Sequence, residues 1–137
     1  MGGGSSKASA MMASSSSAAN VFQVFNNKLI DFVDDLKGAI GHLPEYSLIS
    51  SSATFLAKFQ ERQNYAMFDR YIAQPYGESI LARDEAFLLT QNYSNSNGGI
   101  VDLIKGVWKD LPAGDRESVW AHLHVLLVLA ARCRAVA

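Results

Sequence analysis

Residues 20–40 read NVFQVFNNKLIDFVDDLKGAI, and their spacing decides the fold. Phe22, Phe25, Leu29, Phe32, Val33, Leu36 and Ile40 recur at intervals of three and four residues. That period places them on one face of an amphipathic helix. Asn20 suits the N-cap and Gln23 the capping-box position. Gly41 supplies the C-terminal stop.

The same signals continue along the chain. Pro44 opens a second helix to about Gln63, with Leu48, Phe55, Leu56 and Phe59 as its expected apolar face. Ser50-Ser51-Ser52 weakens it, because serine hydroxyls compete for backbone hydrogen bonds. Asn64 is expected to cap a third helix through Ala73, striped by Met67, Phe68, Tyr71 and Ile72. Gln74-Pro75-Tyr76-Gly77 reads as a break. A short fourth helix carries Ile80, Leu81, Phe87, Leu88 and Leu89, with a bend expected near Arg83-Asp84. Tyr93 to Gly99 reads as a surface loop. A fifth helix is expected from Ile100 to Asp110, burying Leu103, Ile104, Val107 and Trp108.

After the turn Pro112 to Asp115, Asp115 suits the N-cap of a last helix to about Arg132. This helix is apolar nearly all round: Val119, Trp120, Leu123, Val125, Leu126, Leu127, Val128, Leu129. It is either the central helix of a bundle or part of a partner interface, and the first is favoured. No period-two alternation indicates strands.

Residues 1–19, MGGGSSKASAMMASSSSAA, contrast with this. Gly, Ser and Ala dominate, and the segment has too little apolar surface to offset its ordering entropy. The expected fold is therefore all-α. A compact bundle of five to six short helices occupies residues 20–137, behind a disordered Gly/Ser/Ala-rich tail. The core is expected to centre on Phe25, Leu29, Phe32, Leu36, Phe87, Trp108, Trp120, Leu123 and Leu126.

Composition excludes several functions. Twelve Lys and Arg against thirteen Asp and Glu leave a formal charge of -1, which does not suit a nucleic-acid binder. The single cysteine, Cys133, allows neither an internal disulfide nor a cysteine-based metal site. The longest apolar run, Val125 to Ala131, is much too short to span a bilayer, so no transmembrane helix is expected, and no secretory signal is evident.

No catalytic or metal-binding constellation emerges, and no cofactor is expected. His122 and His124 are two residues apart, so on a helix they point about 200° apart and cannot share a metal. Asp34 and Asp35 are helix neighbours that do not face each other. Arg132 and Arg134 flank Cys133 and would lower its pKa, but no histidine base is evident beside it.

The first seven residues, MGGGSSK, match the N-myristoylation pattern, with Gly2 as acceptor and Ser6 at the hydroxyl position. The alternative is a Gly/Ser-rich start that matches by chance. Ser6, Lys7, Met11 and Met12 are the tail's candidate contact residues. One myristoyl chain binds membranes only marginally, and no second signal accompanies it.

Taken in order, the body resembles a group of short helical proteins of nucleocytoplasmic large DNA viruses, the giant viruses of algae and protists. The resemblance is carried by Leu29-x-x-Phe32-Val33-x-Asp35-Leu36 and by Pro75-Tyr76 with Ile80-x-x-Arg83-Asp84-Glu85-x-Phe87-Leu88-Leu89. It continues in Val107-Trp108-x-x-Leu111 and Asp115-Arg116-x-x-Val119-Trp120-x-x-Leu123. It covers residues 21–132 and carries over no catalytic residues. Where such proteins have Lys and aromatics after the last tryptophan, Ala121 and His122 stand here, and the tail is not shared.

The resemblance implies a non-enzymatic structural or assembly role, such as a minor capsid protein of the virion. Its partners would be capsid proteins or further copies of itself, with peripheral membrane contact if Gly2 is acylated. The alternative is a helical adaptor in the host cytoplasm that binds a host or viral protein.

Overall fold

The computed structural model describes residues 21–90 and 99–137 in full, and the backbone alone of 2–20. The helices are α1 (Gly2–Ile40), α2 (Pro44–Phe59), α3 (Glu61–Phe68), α4 (Gln74–Leu81), α5 (Glu85–Thr90), α6 (Ile100–Val107) and α7 (Ala113–Val136). A π turn (Asp69–Ala73) joins α3 to α4, and a 3-10 turn (Trp108–Asp110) ends α6. No strand occurs among the described residues, and the fold is all-α as expected. Because α1 runs on from Gly2, Asn20 lies inside it and is no cap; the tail residues Gly2, Ser6, Lys7, Met11 and Met12 lie outside the described side chains, and most of the Tyr93 to Gly99 loop lies outside the described residues.

The two long helices α1 and α7 pack on each other, and α2, α3 and α4 close around them. Every member of the Phe22-to-Ile40 stripe is buried. So are Trp108, Trp120, Leu123 and Leu126, and the two indoles meet edge to face at 5.3 Å. Burial of such rings removes large apolar areas from water. Phe87 is the exception among the expected core residues: it is only half-buried, with its ring edge against Tyr76.

Polar groups inside the bundle set its register. Asn26 of α1 is buried, and its amide donates to the carbonyls of Phe22 at 2.7 Å and Glu61 at 3.1 Å. Asn64 is no helix cap: it is buried inside α3 and donates to Asn26 Oδ1 at 2.8 Å. Each buried amide needs partners, so this pair admits one alignment of α1 against α3.

The second helix ends earlier than expected, at Phe59. Gln60 (φ -137°, ψ 54°) interrupts it, and α3 starts one residue later. The expected break at Pro75 does not occur. Pro75 lies inside α4, directly after the π turn. Proline has no N–H and crowds the carbonyl four residues back. The π turn shifts the hydrogen-bond register by one, with Gln74 N–H donating to Asp69 O, and the wider turn accommodates the ring. From Glu61 to Leu81 the chain is therefore one helical rod.

The bend at Arg83-Asp84 is present. Arg83 takes a left-handed conformation (φ 55°), its guanidinium pairs with Glu117, and Asp84 Oδ1 accepts the Phe87 N–H at 3.0 Å. Asp115 is not the cap of α7. The helix begins at Ala113 behind Pro112, and Asp115 sits in its first turn, where a negative charge favours the helix dipole. Arg116 donates to the carbonyls of Trp108 and Lys109, both at 3.0 Å, which secures the turn before α7.

The last helix runs past Arg132 to Val136. Among the described residues it is the one helix long and apolar enough to cross a membrane by length and composition. The uninterrupted run Val125 to Ala131 understates it, because scattered His and Arg divide an otherwise apolar helix. Within this fold, 44% of its apolar window is buried. Val119, Trp120, Leu123, Leu126, Leu129, Ala130 and Cys133 face α1 and the core, the packing of a central bundle helix.

Candidate functional site

The second helix is apolar on two faces. Tyr46, Ala53 and Ala57 are buried against the bundle, whereas Leu48 is 73% exposed, Phe55 53% and Phe59 72%. At about 100° per residue, Leu48, Ser52, Phe55 and Phe59 form one stripe, and Ala57 lies about 180° from it. The Phe55 and Phe59 rings touch, with centroids 5.1 Å apart. The sequence expectation that these residues face the core is therefore overturned.

The physical reason lies in the neighbour. The α1 face already fills the interior with Phe25, Leu29, Phe32 and Leu36. A second helix packs closely on such a face through small side chains, which Ala53 provides, and Ala57 is buried on the same side of α2. Tyr46 then fixes the rotation of α2 by donating its hydroxyl to Val33 O at 2.6 Å. The larger residues are left facing solvent.

The polar clusters are structural ties between helices. Asp35 of α1 accepts hydrogen bonds from Ser118 Oγ and His122 Nε2 of α7, each at 2.9 Å. These bonds, that from His122 first, hold its carboxyl below the usual carboxylate range. The three residue types of a nucleophilic triad meet here, yet Ser118 donates to the carboxylate and not to the imidazole. A triad requires the base on the hydroxyl. His122 also stacks on Phe32 at 5.0 Å, and His124 is exposed on another side of α7.

Asp69, buried in the π turn, is clasped by the Arg134 guanidinium, with Nε 3.0 Å from Oδ1, and by the Gln74 amide at 2.6 Å. Arg134 is thereby held still more firmly in its charged form. The flanking arginines do not activate Cys133. Its side chain is fully buried, Sγ donates to Val21 O at 3.4 Å, and burial followed by the Asp69 charge pushes the thiol up to about 11.

An open groove of about 660 Å³ runs beside α4 and α7, lined by Leu81, Phe87, Leu127 and Ala131 with Glu78 and Arg134. Among the described residues no three His, Cys, Asp or Glu side chains converge as metal ligands. Neither the α2 ridge nor the Asp69 clasp was foreseen from sequence. The alanines at 53 and 57, one turn apart and opposite the aromatics, were the available signal for the ridge.

No protein-family model, curated protein or solved structure matches this chain.

Proposed function

We propose that this protein is a non-enzymatic assembly component that works through helix-mediated protein contacts, with the outward stripe of α2 as its working surface. The observation that carries this is the exposure of Leu48, Phe55 and Phe59 on a helix whose opposite face is already anchored. Two adjacent phenyl rings in water lose the burial that association would restore. Phe and Leu at a rigid helix face are suited to the groove of another protein.

The resemblance to short helical proteins of large DNA viruses supports a virion as the setting, with capsid proteins or further copies as partners. If Gly2 is myristoylated, the single lipid adds a weak membrane contact that many copies side by side would strengthen. The test is to purify particles from the native source and measure the abundance and intact mass of this chain in them. Abundance in particles, lost for a folded Phe55→Glu/Phe59→Glu variant, is the expected result. Recovery only from soluble cell extract would overturn the assembly role and leave the adaptor reading.

A further inference from the structure

No further inference is drawn: the strongest candidate, the open groove between α4 and α7 walled by Leu81, Phe87, Leu127 and Ala131, carries charges of both signs in Glu78 and Arg134, the latter committed to Asp69, so nothing in the structure shows what covers it.

Discussion

Truncating Phe59 to Ala should leave stability almost unchanged, whereas enlarging Ala57 to Leu should damage the fold. Phe59 is 72% exposed, so only about a quarter of its side chain is out of water. Full burial of such a side chain is worth about 1.5–3 kcal/mol, which leaves ~0.5 kcal/mol at stake. The higher helix propensity of Ala returns a similar amount, so the net change is near zero. Had Phe59 faced the core, the same truncation would cost about 3–5 kcal/mol. Ala57 is buried on the face of α2 opposite Phe59. Three extra carbons there must separate the helices or leave their rotamers, at a cost of about 1–3 kcal/mol. Urea unfolding followed by circular dichroism, run at low micromolar concentration to keep association out, measures both. A loss above about 2 kcal/mol for Phe59→Ala, or none for Ala57→Leu, would show that α2 is rotated the other way.

Trp120→Ala, in contact with Trp108 and buried, should cost about 3–5 kcal/mol, and an unchanged melting temperature would place Trp120 at the surface. Cys133 should react with iodoacetamide at pH 8 only as fast as the bundle opens. Its raised thiol pKa also means that its contribution to stability is complete below the ordinary value of 9.0 and is lost as pH rises towards about 11. Rapid alkylation of the native chain would contradict its burial. The depressed Asp35 carboxyl acts in the opposite direction: its bonds to His122 and Ser118 stabilise the fold above the ordinary carboxylate range and are lost as pH falls through the folded value. Asp35→Asn should therefore flatten the acid side of a stability-against-pH curve, and an unaltered slope would remove Asp35 from the account. Arg134→Leu leaves the Asp69 carboxylate buried with the Gln74 amide as its remaining side-chain donor and should cost about 1–3 kcal/mol in a thermal melt; no change would mean that water replaces the guanidinium.

Local periodicity determined much of this protein by itself. The stripe from Phe22 to Ile40 was legible because seven large apolar residues keep one phase, and a helix with one such face has one way to bury it. The central position of α7 followed from apolar residues on all sides. The break at Arg83-Asp84 and the buried tryptophans were likewise local facts. No residue constellation in the sequence marked a reactive site.

Tertiary structure decided what single helices leave open. Leu48, Phe55 and Phe59 carry the larger apolar moment of α2, so on its own this helix would turn them inward. The α1 surface is already filled, and the side of α2 that carries Ala53 is the one that fits against it, so packing reversed the helix. Pro75 reads locally as a stop, yet the π turn before it gives the ring its space and carries the rod on. Cys133 reads as a thiol between two arginines. In the fold, Arg134 turns to Asp69, and the sulfur is left in an apolar interior that holds its proton. In each case the deciding quantity is the space and charge supplied by a residue distant in sequence, which propensity and spacing do not encode.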